Sequence, residues 1–193
     1  MTLPPRTAAE AARAIADALR DRNLPHAIGG ALALGVAGVP RGTQDVDLNV
    51  FVEPERVPDV IEVLRELGVE VDPDSAVDAA RTDGMFIGMW DGMRIDVFVP
   101  SIPFSHEAAT TRVVVHVDGW EGSFLSPEAI AVFKLLFFRL KDRVDLERLV
   151  AVRGDRLDRT YIRRWIVEMM GEDDERVVAW DALTARALNA NPT

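Results

Sequence analysis

The chain has 193 residues, of which 48% are hydrophobic and 28% charged, so it is long enough for one ordinary domain with a helical appendage. It contains no cysteine, which excludes disulfides, thiolate zinc sites and cysteine nucleophiles. The formal net charge of −10 argues against nucleic-acid binding through a generally basic surface, so any such binding needs a local basic patch. We recognise no leader-like segment and no apolar run of membrane-spanning length, and we expect a soluble, cytoplasmic protein without a membrane partner.

The first predicted elements are short and alternate between helix and strand. Thr7 and Glu10 fit a capping box, and the apolar stripe behind them predicts an amphipathic helix that ends near Asp21. His26 precedes an apolar strand, and we expect it to be a packed or edge residue rather than a catalytic base. The elements that follow are a strand at 26–28, the Gly29-Gly30 turn, a helix at 31–36, a strand at 45–52 and a helix at 57–67 that ends at Gly68.

The middle of the chain is predicted to be rich in strands. Asp91-Gly92 is the strongest short hairpin signal and predicts paired strands at 85–90 and 93–99. The remaining predictions are a small strand at 69–71, a short helix or turn at 75–81, a loop at 100–108 and a strand at 112–117 that turns at Asp118-Gly119.

The C-terminal part is predicted to be helical. Ser126 and Pro127 are a favourable cap and first residue for a helix that carries Lys134 on an apolar face and continues towards Asp145. Two further helical patterns between residues 157 and 190 are separated by residues 171–174. This order of elements predicts an α+β or α/β chain with a core at 1–125 and a helical region at 126–193 packed on it.

Three aspartates interrupt the apolar alternation of the predicted strands. Asp45 and Asp47 share one strand face, about 7 Å apart at roughly 3.3 Å of rise per residue. Asp96 lies in a later strand, and the three carboxylates converge if the two strands are neighbours. An oxygen-ligated divalent cation such as Mg²⁺ or Mn²⁺ would then offset their repulsion. The alternative is a solvated sheet face without metal, and the pattern alone leaves both interpretations open.

Candidate phosphate contacts lie in the segment between the first predicted strand and Asp45. Gly29-Gly30, at a strand-to-helix junction, either lets backbone N–H groups approach a phosphate or is only a tight turn. In the loop before Asp45, Arg41 either clamps a phosphate or has an ordinary loop role. Thr43 either binds a phosphate or caps the turn.

Lys134 is the candidate cation of the C-terminal region. Its ammonium group either reaches triphosphate oxygens or extends to water, the commoner outcome for a lysine on an apolar face. Asp142 and Asp145 are three residues apart and therefore neighbours on a helix surface, where they can pair with Lys134, Arg139 or Lys141. For Asp145 we favour a salt bridge that supports the scaffold.

Together these motifs resemble the nucleotidyltransferase superfamily with the polymerase-β-like fold. Its pattern hG[GS]…DhDh…hDh matches IGG at 28–30, DVDL at 45–48 and IDVF at 95–98. Gly30 stands where many members have Ser. The segment RGTQDVDL is similar to the motif Arg-x-Thr-x-Asp-hydrophobic-Asp of the AbiEii/AbiGii toxin-type branch. That branch also has a lysine helix ending in Arg-x-Lys-Asp-x-x-Asp-Leu, matched here by Lys134, Arg139, Lys141, Asp142, Asp145 and Leu146.

The resemblance covers about residues 25–150 and implies both a fold and a reaction. The implied fold is α+β, a mixed central sheet flanked by helices, with a C-terminal helical subdomain. The implied reaction moves an NMP from an NTP to an acceptor hydroxyl and releases pyrophosphate. Asp45, Asp47 and Asp96 would be catalytic and would bind Mg²⁺ or Mn²⁺ for a two-metal in-line displacement. The implied nucleotide-binding residues are Gly29, Gly30, Arg41, Thr43 and Lys134, with Asp142 as a helper.

Three hypotheses for the acceptor and activity follow from the resemblance. In the first, the protein is toxin-like, modifies tRNA or a partner protein, and has a cognate antitoxin. In the second, the acceptor is a small hydroxylated molecule, as in antibiotic adenylyltransferases, and the acidic composition suits this. In the third, the protein binds nucleotide or an interaction partner without catalysis, which the presence of all three carboxylates argues against.

Overall fold

A computed structural model describes residues 7–117 and 119–190, without the side chains of residues 188–190. The chain divides into two compact units. The first contains residues 7–33 and 41–125, and the second contains residues 34–40 and the described chain from residue 126 onward. The packing of the C-terminal region on the core stays a prediction.

The helices and strands follow in chain order. Short 3₁₀ helices lie at Pro54–Arg56 and Gly154–Arg156. The α-helices are Ala8–Asp21 (α1), Gly30–Val36 (α2), Val57–Glu66 (α3), Pro73–Asp83 (α4), Pro103–Thr110 (α5), Pro127–Phe137 (α6), Leu140–Arg153 (α7), Arg159–Met170 (α8) and Glu175–Ala190 (α9). The strands are His26–Ile28 (β1), Val46–Val50 (β2), Met85–Trp90 (β3), Met93–Phe98 (β4), Val113–Val117 (β5) and Trp120–Phe124 (β6).

The strands form one mixed sheet in the order β3-β4-β2-β1-β6-β5. The pairs β2–β4 and β1–β6 are parallel, whereas β1–β2, β3–β4 and β5–β6 are antiparallel. The predicted hairpin at Asp91-Gly92 is confirmed, with positive φ at both residues as a type I′ turn requires. The α+β class and the mixed sheet are therefore confirmed.

The core of the first unit lies on one face of the central strands. Val46, Leu48 and Val50 of β2 are at most 1% exposed, and the alternation of the strand puts Asp47 on the opposite face. Helix α1 contacts this part of the sheet and buries its predicted apolar stripe. The capping box of Thr7 and Glu10 is present at its start, as predicted.

Several predicted boundaries were wrong. Residues 100–108 are not a loop, because Pro103 begins α5, where Phe104 and Ala108 are one helical turn apart and both buried. Residues 69–71 form only an isolated bridge from Glu70 to Met89. The predicted helix or turn at 75–81 is the longer α4, which begins at Pro73 because the Asp72 carboxylate accepts from the Ser75 amide.

In the second unit, the helix predicted to run from Ser126 towards Asp145 is two helices. Ser126 caps α6 as predicted, but Phe138 adopts a left-handed φ of 52° and ends it. Helix α7 then begins at Leu140. The two helices predicted between 157 and 190 are confirmed as α8 and α9. Asp118, the predicted turn residue, lies outside the described residues.

Candidate active site

Asp47 and Asp96 lie side by side in the sheet. Strands β2 and β4 are parallel neighbours, and their register pairs Asp47 directly with Asp96. Neighbouring strands are about 4.8 Å apart, so the two residues project from the same face at close range. The condition for convergence of the carboxylates, that the two acidic strands are neighbours, is therefore met.

Asp45 was predicted to be part of a strand but lies directly before β2. Its backbone is held by Thr43, whose hydroxyl donates to the Asp45 carbonyl at 3.0 Å and accepts from the Asp45 amide at 3.2 Å. Thr43 therefore caps the turn, and phosphate binding by Thr43 stays a prediction. Asp45 has an exposed side chain and lies two residues before Asp47, which shares one face of β2 with Asn49.

A cation contacts this acidic face. Arg94, two residues before Asp96 on β4, donates from Nε to Asp96 Oδ1 at 2.8 Å, and a terminal guanidinium nitrogen lies 2.8 Å from the same oxygen. The hydrogen bond to Asp96 has the largest effect and raises the pKa of Arg94, burial lowers it, and the charges of Asp96, Asp45 and Asp47 raise it further. One guanidinium thus interacts with all three carboxylates.

Asp47 also packs against the glycine turn. Gly30 has a φ of +52°, and a Cβ atom placed there would lie 1.8 Å from Oδ2 of Asp47. A Cβ at Gly29 would lie 2.7 Å from the side-chain nitrogen of Asn49, which is buried. Both glycines are therefore required by the close approach of polar side chains from β2. This packing explains the turn without a phosphate, whose binding there stays a prediction.

Lys134 is buried in an ion-pair network within the second unit. Its ammonium donates to Asp145 Oδ2 at 2.7 Å and to Asp142 Oδ1 at 3.2 Å, and the three side chains are 8%, 3% and 1% exposed. Lys134 does not extend to water, because carboxylates from α7 provide its partners. The salt bridge favoured for Asp145 is present.

Asp142 has a second cation beside it. The Arg139 Nε donates to Asp142 Oδ2 at 2.7 Å, and the Arg139 amide donates to the same oxygen at 3.2 Å. Burial alone would raise the pKa of Asp142, but the Arg139 hydrogen bond and the Lys134 charge outweigh burial and lower it. Asp142 is therefore ionised and helps to begin α7.

Arg41 and His26 show local contacts. A terminal nitrogen of Arg41 lies 3.4 Å from the Gly42 carbonyl, in the loop before β2. His26 is buried, and its Nδ1 lies 2.9 Å from the Leu24 carbonyl. Burial lowers the pKa of His26, so the ring is neutral near pH 7 and packs as predicted.

Comparisons with solved structures place this geometry in a known fold. The chain is similar to the antibiotic-resistance factor ANT(2″)-Ia, with a TM-score of 0.55 and 17% identity over 92% of this chain and 91% of that chain. The same factor in complex with adenylyl-2″-tobramycin has a TM-score of 0.55 and 18% identity, over 89% of this chain and 94% of that chain. An antigenic nucleotidyltransferase-like protein from Paracoccidioides brasiliensis has a TM-score of 0.53 and 17% identity, over 93% of this chain and 94% of that chain. No family model and no curated protein sequence matches the chain.

The chain has a nucleotidyltransferase fold. At these identities the likeness shows the fold alone, and the predicted closeness to the AbiEii/AbiGii branch rests on the motifs. In the described part of the chain, no helix is both long and apolar enough to cross a membrane.

A nucleotidyltransferase fold implies a divalent metal, and the donor chemistry at β2 and β4 suits one. Asp45, Asp47 and Asp96 offer the carboxylate oxygens that Mg²⁺ prefers, and two of these residues are paired in register. Within residues 7–117 and 119–190, however, no three acidic or histidine side chains are already grouped as ligands of one ion. Metal binding by these three carboxylates therefore stays a prediction.

Sequence reasoning missed Arg94 and the role of Asn49 at this face. The signal for Arg94 was its position two residues before Asp96, which puts both side chains on the same face of a strand. The signal for Asn49 was the same alternation two residues after Asp47. The alternation identifies Asp96 as the partner of Arg94, whereas the approach of Asn49 to Gly29 involves a separate segment that the alternation does not identify.

Proposed function

We propose that the protein transfers a nucleoside monophosphate from an NTP to an acceptor hydroxyl and releases pyrophosphate. The observation that carries this proposal is the register pairing of Asp47 with Asp96 on adjacent strands of a nucleotidyltransferase fold. Asp45 and Asp47 would hold Mg²⁺ or Mn²⁺ with Asp96. The bound ion would supply neutralisation of the triphosphate charge. Gly29 and Gly30 stay candidate phosphate contacts through the resemblance; in this structure the Gly29 N–H donates to the Asp47 carbonyl at 2.8 Å, so a phosphate would have to replace that bond.

The acceptor we favour is a small hydroxylated molecule that carries positive charge. The similarity to ANT(2″)-Ia extends over about nine-tenths of both chains, and the net charge of −10 attracts cationic compounds. The same charge repels a polynucleotide unless a basic patch compensates it.

A tRNA or protein acceptor is the second candidate. The RGTQDVDL spelling and the Lys134 to Leu146 motif favour it through their resemblance to the toxin-type branch. In this structure the Lys134 ammonium is occupied by Asp142 and Asp145, so triphosphate contact by Lys134 would require that network to open. A cognate antitoxin belongs to this second candidate only.

Incubation with labelled NTPs and Mg²⁺ tests the proposal, with aminoglycosides, cell RNA and cell protein offered as separate acceptors. We expect transfer to an aminoglycoside hydroxyl and its loss, by at least about 100-fold, in Asp47→Asn and Asp96→Asn, because each removes a charge on the metal-binding face. Asp78→Asn, on the exposed surface of α4, is the matched control and should retain activity. Near-normal turnover in either site variant would refute the assignment of the carboxylates.

A further inference from the structure

Arg94 contacts the acidic face at Asp96, one of the three proposed metal ligands. Two of its nitrogens contact one oxygen of Asp96, whose side chain is only 15% exposed, while the Arg94 side chain is 46% exposed. The pair joins residues of the same strand and the same face, so it forms without help from any other element.

The register extends the influence of Arg94 to β2. Val46 pairs with Ile95, so the residue before Val46 lies at the level of the residue before Ile95. Those residues are Asp45 and Arg94. The guanidinium pairs with Asp96 along its own strand and is near enough to Asp45 for the charge of Asp45 to raise the pKa of Arg94.

The physical consequence is an internal offset of charge. Asp47 and Asp96 are directly opposite each other, and like charges in that position destabilise a sheet. Arg94 adds one positive charge among the three negative ones and lowers this repulsion without a metal. A divalent ion that bound Asp96 would have to displace the guanidinium from Oδ1 or accept its repulsion at short range.

We propose that Arg94 is an internal counter-cation that competes with the divalent metal for Asp96, so that it stabilises the metal-free protein and weakens metal binding. This inference rests on the proposed function, since it assumes that Asp96 is a metal ligand. In this role Arg94 acts through Asp96, and its release from Asp96 accompanies metal binding. A purely structural role, in which Arg94 only orients Asp96 for the metal, predicts the opposite effect on affinity.

Mn²⁺ titration of the full-length protein, followed by electron paramagnetic resonance and calorimetry, separates the two roles. Arg94→Met keeps the length of the side chain and removes its charge, and we expect it to bind Mn²⁺ about tenfold more tightly than the wild type. Arg94→Lys keeps the charge and should remain close to the wild type. Arg56→Met removes an exposed arginine paired with Asp59 and is the matched control, with unchanged affinity. Equal or weaker Mn²⁺ binding by Arg94→Met would overturn the proposal.

A second measurement uses the wild-type protein alone. Addition of diamagnetic Mg²⁺ should speed the solvent exchange of the Arg94 Nε proton in nitrogen-15 spectra, because its hydrogen bond to Asp96 is lost. Saturable Mg²⁺ binding that leaves this exchange unchanged would contradict the competition while the proposed metal dependence still stood. If neither the wild type nor Arg94→Met binds Mn²⁺, both the competition and the metal-dependent function fail.

Discussion

At the scale of single residues, the contact between Gly30 and Asp47 decides the shape of the acidic face. The left-handed backbone of Gly30 and the oxygen that lies where a Cβ would be leave no space for a side chain. Gly30 stands where many members of the superfamily that the motifs resemble have Ser, and here Asp47 fills the space that a side chain at this position would need. The turn and the carboxylate occupy the same space and must change together.

Gly30→Ala should therefore impair the site more than the fold. The left-handed conformation costs an alanine about 1–2 kcal/mol, and the new methyl group must push the Asp47 carboxylate away. Because a displacement of about 1 Å at a reacting group costs about 100-fold in rate, we expect a loss of that order in nucleotidyl transfer. Steady-state kinetics and urea unfolding measure the two effects separately.

Gly35→Ala is the control for this substitution. Gly35 lies in the same helix, α2, and a Cβ there meets no atom within 4 Å. A helical alanine in open space stabilises by about 0.5–1 kcal/mol relative to glycine. If Gly30→Ala changed the rate of nucleotidyl transfer and the free energy of unfolding as little as Gly35→Ala does, the inferred close contact between Gly30 and Asp47 would be contradicted.

At the scale of elements, α6 and α7 are joined by buried charges. Lys134 of α6 binds Asp142 and Asp145 of α7, and Phe138 provides the left-handed break that lets α7 turn back. A buried ion pair is not strong evidence of net stabilisation, but removal of Lys134 takes the ammonium partner from two buried carboxylates, of which Asp142 keeps Arg139. Loss of the cation is therefore the severe change.

Lys134→Met should destabilise the protein. It leaves two buried carboxylates without their ammonium partner, and we expect the free energy of unfolding to fall by about 3–5 kcal/mol. Chemical denaturation of the full chain measures this change. Loss of activity in the same variant would not show that Lys134 contacts the triphosphate, because unfolding alone would cause it.

The other lysine of the chain provides the comparison. Lys141 is exposed on α7, and Lys141→Met should change the free energy of unfolding by less than about 0.5 kcal/mol. An equally small change in Lys134→Met would contradict the structural role of the buried network and would favour the nucleotide-binding interpretation.

At the scale of the whole molecule, the negative charge is unevenly distributed along the chain. Residues 1–125 contain 10 Lys and Arg against 20 Asp and Glu, whereas residues 126–193 contain 12 of each. The net charge of −10 therefore belongs entirely to the part of the chain that carries the three aspartates. A field of this sign attracts cationic acceptors and repels polyanions.

The salt dependence of KM tests whether this negative charge attracts a cationic acceptor. For a cationic aminoglycoside, raising the salt from about 50 to about 300 mM should raise KM several-fold, because screening weakens the attraction. We expect kcat to change much less, since the reacting groups meet at short range. A KM that falls with salt would contradict electrostatic attraction of the acceptor.

RNA would behave differently in the same experiment. Transfer of label to RNA would indicate a local basic patch if the logarithm of the RNA-binding constant also falls linearly with the logarithm of the salt concentration. That result would favour the second candidate over the small cationic acceptor.

The sequence alone determined the elements whose signals are local. The capping box at Thr7, the Asp91-Gly92 hairpin and the Ser126 cap depend on residues a few positions apart, and each is present in the structure. The alternation around Asp47 determined which side chains share a strand face, because the period of a strand is fixed by its backbone. Boundaries failed where a short helix, such as α5, offered only one pair of buried apolar residues.

Only the tertiary structure decided which local patterns meet. The parallel pairing of β2 with β4 joins residues about fifty positions apart in the sequence, and it alone puts Asp47 beside Asp96. The same folding buries Lys134 among aspartates and brings Arg94 to the carboxylates of β2. Strand order and side-chain partners depend on packing between distant segments, and a pattern along one segment carries no information about its neighbour across the sheet.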